Sequence, residues 1–290
     1  MAQTDPLADL DRTELGLPPD ARVKQWRTPG SACDQAAAAF YDPDRVTRGL
    51  ARTAIVADVA NSACTSQIAL SGKTPRLIYE RARALLAKSD VMAAKQQLEL
   101  AVSSGYRAAQ IDLASLLVDV SAGGLDPERA LALDEHAWQD GVPIAAYEVG
   151  HLFEFGVSGS PAVARGKLRP DLAKAWEWYQ KGADAREPTA LARVAEREEK
   201  TALAESDASR RNAGFLAAFK LYAAAADRAR YEDWPDDAWK HWRYRRATLA
   251  RLLAREGMMQ EVADAYSKVL EPRPPERTVW EQIKNKMHRL

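Results

Sequence analysis

The pattern of apolar and polar positions repeats along the chain. The stretch GYRAAQIDLASLL begins at Gly105, and the stretch GVPIAAYEVGHLF begins 36 residues later at Gly141. When the two glycines are superposed, apolar residues coincide on one helical face and the small Ala114 coincides with the small Gly150. Repetition at such a period indicates an array of stacked structural repeats. We therefore predict a helix in each stretch, with a small residue where a neighbouring helix approaches.

A second helical segment of each repeat shows the same regularity. The segments are MAAKQQLELAVSSG, ending at Gly105, ERALALDEHAWQDG, ending at Gly141, and LAKAWEWYQKGADAR, ending at Arg186. Each segment has an alanine eleven residues before that end. Glycine directly after the last apolar residue is a common stop signal for a helix. Each repeat is therefore predicted to contain two helices.

Two further regions share a pattern of small and large positions that are separated by 7, 5, 4 and 3 residues. This spacing predicts two antiparallel helices that cross at their small residues. The positions are Ala82, Ser89, Ala94, Leu98 and Ala101 in the first region, and Ala250, Gly257, Val262, Tyr266 and Val269 in the last.

These spacings resemble those of known helical repeats. The 7-5-4-3 spacing is similar to the tetratricopeptide repeat, and the 36-residue repeats resemble the related Sel-1-like repeat. The matching positions are Lys174, Ala175, Trp178 and Tyr179 in a second helix, and Gly150 and Phe153 in the first helix before it. The resemblance implies an all-α fold, an α/α solenoid of helix pairs coiled as a right-handed superhelix. It also implies a non-enzymatic scaffold or adaptor that binds a protein partner on its concave face.

The chain is expected to divide into four segments. These are an irregular segment 1–30, a helical cap 31–73, the repeat array 74–274 and a C-terminal helix or tail 275–290. Within the array, we expect 158–170 to be an exposed loop and the highly charged 196–211 to be a solvated helix end plus loop.

The cap contains both cysteines of the chain, Cys33 and Cys64. From the residues alone, they form either one disulfide or two buried free thiols. The region also resembles the leader of exported alphaproteobacterial Sel-1-like proteins, which implies a disulfide and a periplasmic or secreted location. The N-terminus has no signal-peptide pattern, so a cytoplasmic location is the alternative. The positions that carry this resemblance are Cys33, Asp42, Pro43, Cys64, Pro75, Arg76 and Leu77.

Composition narrows the kinds of partner. The 290 residues include 41 basic and 41 acidic side chains, so the formal net charge is zero. Proteins that bind nucleic acid usually carry a basic excess, and we therefore expect no nucleic-acid partner. The mean hydropathy is −0.41, and no apolar run approaches the roughly 20 residues of a transmembrane helix.

No motif for catalysis or metal binding is present. The four histidines do not occur in HExxH or in any close metal-binding spacing. The sequence has no GxSxG elbow and no phosphate-binding glycine loop. We therefore predict no catalytic residue, no cofactor and no metal.

The stretch WPDDAWKHWRYRR, from Trp234 to Arg246, concentrates aromatic and basic residues. Asp236 and Asp237 are expected in the first turn of a helix, and Trp242 is expected in its core face. Trp234 is expected in a loop without packing partners, and the arginines around the exposed side. Because Trp, Tyr and Arg dominate binding energy at interfaces, we predict seven partner-binding residues: Trp234, Trp239, Arg243, Arg245, Arg246, Trp176 and Tyr147.

Two alternatives to a general scaffold remain open from the sequence. One is a periplasmic immunity or regulatory protein that inhibits one specific partner. A function of another class is an accessory domain that acts on cell-wall or polysaccharide substrates.

Overall fold

The computed structural model describes residue 26 and residues 30–119, 126–156 and 168–269. Within these ranges the chain is all-α, as predicted, and a bridge between Ala39 and Leu50 is its only strand-like pairing. No helix in these ranges is long and apolar enough to cross a membrane. The predictions for most of 1–30, for 158–167 and for 275–290 lie outside the described residues.

Twelve helices follow one another in the described residues, with a short 3₁₀ turn, Arg52–Ala54, between the first two. In chain order they are α1 Ala32–Ala37, α2 Ala57–Ser71, α3 Pro75–Ala87, α4 Val91–Ser103, α5 Ala108–Val118, α6 Pro127–Gln139, α7 Ala145–Phe155, α8 Leu172–Asp184, α9 Pro188–Ala204, α10 Ala208–Tyr231, α11 Asp236–Arg255 and α12 Met259–Val269.

The described residues form two compact bodies. The N-terminal body contains the described residues up to Trp178 together with Asp233–Pro235. The C-terminal body contains Tyr179–Glu232 and residues 236–269. The predicted segment boundaries, which treat 74–274 as one array, stay predictions.

In the N-terminal body, each helix from α1 to α6 packs against the next one in the chain. The main core cluster lies at the predicted small and large positions, and it buries Tyr79, Ala82, Leu98, Leu113 and Ala114. Packing between chain neighbours is the arrangement of a helical solenoid, in which each pair buries its apolar face against the next pair.

Side-chain caps define where the helices begin. Thr74 and Asp126 each accept a hydrogen bond from the backbone N–H group three residues later. Such a bond satisfies an amide that has no partner within the helix. Pro75 and Pro127 follow these caps at the first helical position, where the missing N–H group of proline is not needed.

The helix ends share one recurrent turn. The N–H group of Gly141 bonds to the carbonyl of Trp138, and the N–H group of Val142 bonds to the carbonyl of Ala137. This pair of bonds closes a helix and places the turn residue in the left-handed backbone region. The same pair of bonds and a positive φ occur at Ser89, Gly105, Gly141, Arg186 and Gly257.

A disulfide links the two helices of the cap. Cys33 of α1 is bonded to Cys64 of α2, and both are buried, which confirms the predicted disulfide. Arg83 of α3 donates hydrogen bonds to the carbonyls of Ala37 and Leu50 at 2.6 and 2.9 Å. The irregular segment between these two residues is therefore fixed at both ends by one buried guanidinium group.

In the C-terminal body, α10 packs against α9, α11 and α12. Glu199 of α9 accepts hydrogen bonds from the Tyr222 hydroxyl of α10 and from Arg245 of α11, so it joins three helices. Most side chains of 196–211 are exposed or partly exposed, as expected for a solvated helix end plus loop, and Glu199 and Ala202 are the buried exceptions. Helix α9 continues to Ala204, and Glu199 is buried because its partners come from distant helices.

Removing the disulfide is expected to destabilise the N-terminal body. The double substitution Cys33→Ala and Cys64→Ala should lower the free energy of unfolding by about 3–4 kcal/mol, because a bond across 31 residues restricts the unfolded chain. Urea unfolding followed by circular dichroism measures the loss. The unsubstituted protein under reducing conditions should lose a similar amount, and unchanged midpoints in both experiments would contradict the prediction.

Candidate partner-binding surface

Helix α7 carries a row of three aromatic rings. Tyr147, His151 and Phe155 are four residues apart, so their side chains lie on one face of the helix. The ring centres of Tyr147 and His151 are 5.9 Å apart, and those of His151 and Phe155 are 4.7 Å apart. Phe155 is 57% exposed, and the other two are partly buried. We call these three residues the α7 aromatic row.

The predicted residue Trp176 lies on α8 and is partly buried. Close to it in the chain, Trp178 packs edge-to-face on Trp138 of α6, with ring centres 6.3 Å apart. The Nζ atom of Lys174 lies 5.4 Å from the centre of the Phe153 ring of α7. Two residues of the repeat motif, Lys174 and Trp178, therefore dock α8 onto the two preceding helices.

Trp234 lies in the loop between α10 and α11, as expected, but its side chain is packed. It is 6% exposed, and its ring centre is 4.7 Å from that of Phe40 in an edge-to-face contact. The neighbouring Asp233 accepts a hydrogen bond from Trp26 Nε1 at 2.9 Å and forms an ion pair with Arg48 at 3.3 Å. The expectation that Trp234 has no packing partner is therefore wrong.

Two of the predicted residues on α11 are buried in the C-terminal body. Trp239 and Arg246 are each 6% exposed. The Arg246 guanidinium lies 5.1 Å from the centre of the Tyr266 ring and donates a hydrogen bond to the Tyr266 hydroxyl. The expectation that Arg246 lies on the exposed side of α11 is wrong, because α12 covers it through this ring.

Arg243 and Arg245 of α11 are partly exposed. The Arg243 guanidinium stacks over the Trp239 ring at 4.9 Å, and Arg245 is paired with Glu199. Trp242 is buried, as predicted for the core face. The partner-binding roles of the seven residues stay predictions. Four of the seven are partly exposed, and direct contact with a partner is more favourable for them than for the three buried residues. The four are Tyr147, Trp176, Arg243 and Arg245.

Where α3 packs against the cap, two buried carboxyl groups lie that sequence reasoning missed. Asp34 and Glu80 are both buried, and the Arg76 Nε atom lies 2.8 Å from Asp34 and 4.0 Å from Glu80. Burial and the negative charge of Asp34 raise the pKa of Glu80 to about 9. Glu80 is therefore protonated in the folded protein at neutral pH. Its position on α3 beside apolar neighbours gives no sequence signal for this state.

A second buried carboxyl group fixes the loop that follows α1. Asp42 accepts hydrogen bonds from the Tyr106 hydroxyl at 2.6 Å and from the Asp44 backbone N–H group at 2.8 Å. Burial raises the pKa of Asp42 to about 6, although both hydrogen bonds act in the opposite direction. Arg107 donates to both carboxylate oxygens of Asp44, at 2.6 and 2.7 Å. The loop is thus held at the start of α5 by polar contacts.

The described residues contain no cluster of side chains that could bind a metal ion. Among them, no group of three or more histidine, cysteine, aspartate or glutamate side chains is arranged to hold a metal ion. His136 contacts the Gln110 amide oxygen at 2.8 Å, and His151 belongs to the α7 aromatic row. The absence of catalytic activity stays a prediction from the sequence.

The chain is similar to Sel1 repeat structures. One is a protective antigen of uropathogenic Escherichia coli with an SLR fold, which aligns with 69% of this chain at 15% identity and a TM-score of 0.39. Another is a Sel1 repeat protein from Oxalobacter formigenes, which aligns with 74% of this chain at 17% identity and a TM-score of 0.37. The chain spans 41% of the first structure and 88% of the second.

No family model matches the sequence, and no curated protein matches it either.

The stability of the N-terminal body is expected to fall as the pH rises between about 4.5 and about 9, the ordinary and folded pKa values of Glu80. In this window the unfolded chain has released the Glu80 proton and the folded chain retains it, so a higher pH favours unfolding. Glu80→Gln, which resembles the protonated carboxyl group, should flatten the dependence. Denaturant midpoints measured across this pH range test it.

Glu99→Gln is the matched control for this pH experiment, because Glu99 is partly exposed and pairs with Arg129 at the surface. It should leave the slope of stability against pH unchanged. A slope in the Glu80→Gln variant equal to that of the unsubstituted protein would contradict the assignment to Glu80.

Trp234→Ala is expected to lower the free energy of unfolding by about 2–4 kcal/mol, because it removes a large buried ring from its contact with Phe40. Tyr244→Ala, at an exposed aromatic residue of α11, is the control and should change stability by less than about 0.5 kcal/mol. Thermal unfolding of both variants provides the measurement. Unchanged stability of Trp234→Ala would contradict the prediction and favour a partner-binding role for Trp234.

Proposed function

We propose that this protein is a non-enzymatic scaffold of the Sel-1-like repeat type that binds a protein partner on the face formed by the first helices of its repeats. The observation that carries the proposal is the α7 aromatic row. It places an exposed phenylalanine next to two partly buried aromatic rings. Aromatic side chains of this kind supply much of the binding energy at protein interfaces.

The row is particular to one repeat. The 36-residue offset that aligns Gly105 with Gly141 places Ile111 and Ser115 of α5, and Asp119 directly after α5, at the corresponding positions. The neighbouring repeat therefore has no aromatic residue there. Repeats in an array share the positions that pack between helices and differ at the surface positions that contact ligands. This difference supports a binding role for the row.

The arrangement of the helices also favours a protein partner. Stacked helix pairs expose an extended surface, which suits a peptide or a protein element more than a small molecule. In such arrays the first helices line the concave surface, and we place the partner there.

We further propose that the protein works in the periplasm or outside the cell. The buried disulfide supports this location, because disulfides persist in oxidising compartments and are rare in the cytosol. An oxidising compartment also fits the strong contribution that the disulfide is expected to make to the stability of the cap.

Site-specific crosslinking tests the scaffold proposal. A photoreactive benzoylphenylalanine in place of Phe155 should crosslink a protein partner in cells that express the protein. The same amino acid in place of Leu203 is the matched control, because Leu203 is 66% exposed near the end of another first helix, α9. Phe155→Ala should also reduce capture of that partner, and Leu203→Ala should not. Equal crosslinking at both positions, or none at either, would contradict the proposal.

The crosslinked products also separate the two forms of this function. One partner recovered in a constant ratio identifies a regulatory protein dedicated to one target. Several partners identify a general scaffold.

A further inference from the structure

Helix α11 has a basic face that the other described residues leave exposed. Lys240, Tyr244, Thr248, Arg251 and Arg255 are each three or four residues from the next, so their side chains follow one line along the helix. Lys240, Tyr244 and Arg255 are exposed, and the other two are partly exposed. We call these five residues the α11 basic face.

The three cations of this face have no counterion in the described part of the chain. No carboxylate of those residues forms an ion pair with Lys240, Arg251 or Arg255. Arg245, on another side of the same helix, is paired with Glu199. The fold therefore uses one arginine of α11 to join helices and leaves the charges of the basic face for another contact.

The other side of α11 excludes one class of occupant. Trp242, Leu249 and Leu253 are buried there in the C-terminal body. A basic helix that lies on a membrane inserts its apolar side into the lipid. Because the fold already uses the apolar side of α11, the basic face suits an acidic polypeptide more than a lipid surface.

The N-terminal segment of the chain, which lies outside the described residues, carries charges in the complementary order. Read backwards from Trp26, it has two basic residues and then five acidic residues, with one arginine among them. The basic residues are Lys24 and Arg22, the acidic residues are Asp20, Glu14, Asp11, Asp9 and Asp5, and the interrupting residue is Arg12. Helix α11, read forwards, begins with the two carboxylates of Asp236 and Asp237 and continues with the cations of the basic face. An antiparallel alignment therefore brings opposite charges together at both ends.

A described contact holds the end of this segment near the start of α11. Trp26 Nε1 donates a hydrogen bond to Asp233 at 2.9 Å. Asp233 comes three residues before Asp236, the first residue of α11, and three residues span at most about 11 Å. The chain that precedes Trp26 therefore starts within reach of the first turn of α11, whatever the arrangement of the two bodies.

The segment is also long enough to follow the whole face. Residues 5–24 reach about 65 Å when extended, whereas a helix with the length of α11 spans about 30 Å. Attachment at Trp26 makes the contact intramolecular, so the effective concentration of the segment is high and weak surface ion pairs are sufficient.

We propose that residues 5–24 of this chain dock on the α11 basic face, antiparallel to the helix, with the basic end of the segment beside Asp236 and Asp237. The docked segment pairs with the cations of the face and keeps an external acidic polypeptide away until it is displaced. The α7 aromatic row takes no part in this contact. The inference is therefore independent of the proposed scaffold function.

Photocrosslinking in the full chain tests the contact. Benzoylphenylalanine replaces Leu10, which lies between Asp9 and Asp11, and mass spectrometry of the digested protein locates the crosslinked residue. We expect crosslinks to α11. A mixture of ordinary and heavy-isotope-labelled protein should give crosslinks only between peptides of the same label, because the segment docks within its own molecule.

A charge variant of α11 tests the basis of the docking. Neutralising the three cations of the basic face should lower the crosslink yield about threefold or more, because three surface ion pairs are lost. The substitutions are Lys240→Gln, Arg251→Gln and Arg255→Gln. Raising the salt concentration from about 0.05 M to about 0.5 M should also lower the yield of the unsubstituted segment, because salt screens exposed charges.

Two further variants serve as controls. The matched control removes three exposed cations elsewhere in the C-terminal body and should keep the yield. Its substitutions are Lys200→Gln, Arg210→Gln and Lys220→Gln. The second variant neutralises the segment through Asp9→Asn, Asp11→Asn and Glu14→Gln and should lower the yield as the α11 variant does. It decides the question if circular dichroism shows that the α11 variant has lost its helical fold.

Every other outcome overturns the proposal. Crosslinks that fall outside α11 show that the segment docks elsewhere. Crosslinks between ordinary and labelled peptides make a second copy of the chain the occupant. A yield that neither salt nor the charge variants reduce removes charge pairing as the basis of the contact. Because Leu10 and Phe155 are tested by separate crosslinks, failure of this proposal leaves the scaffold proposal standing, and the reverse also holds.

Discussion

The close approach of helices at small side chains is the constraint on which this fold depends. Ala82, Ala114, Gly150, Ala195 and Ala250 are all buried on the first helices of their repeats. Larger residues at these positions would separate the helix axes and open the core along its length. Positions outside this stripe of small residues can stay exposed, as Phe155 does at the end of α7. The α7 aromatic row lies on such a surface, so its residues can differ between repeats without changing the core.

The sequence predicted the elements that local spacing determines. Small positions, helix ends and turn residues recur at fixed intervals, and the interval alone assigns them to a face or an end of a helix. Local spacing did not predict the burial of Trp234 and Arg246. Their burial comes from Phe40 and Tyr266, which lie on other elements. A loop residue has no periodicity that could reveal such a contact.

The buried polar groups at the N-terminal end of the array are there because an irregular segment packs where another helix would otherwise lie. At this end of the array an irregular segment, instead of another helix, covers α3 and α5, and its carbonyl groups need donors. Arg83 supplies two of them, and its Nε atom lies 3.5 Å from a carboxylate oxygen of Asp112. Each buried charge requires a further polar group nearby. The packing at this end of the array therefore depends on protonation states, because burial raises the pKa values of Asp42 and Glu80.

The contact between Trp234 and Phe40 has a consequence for the order in which the protein forms. A chain is synthesised from its N-terminus, and Phe40 emerges long before Trp234. The helix pairs between them contact their chain neighbours and can fold as they appear. The N-terminal body nevertheless includes Asp233–Pro235, so its last aromatic contact waits until most of the chain has been made. Until then the Phe40 ring lacks its contact with Trp234, so the N-terminal body is completed only shortly before the C-terminal body, which needs residues from Asp236 onward.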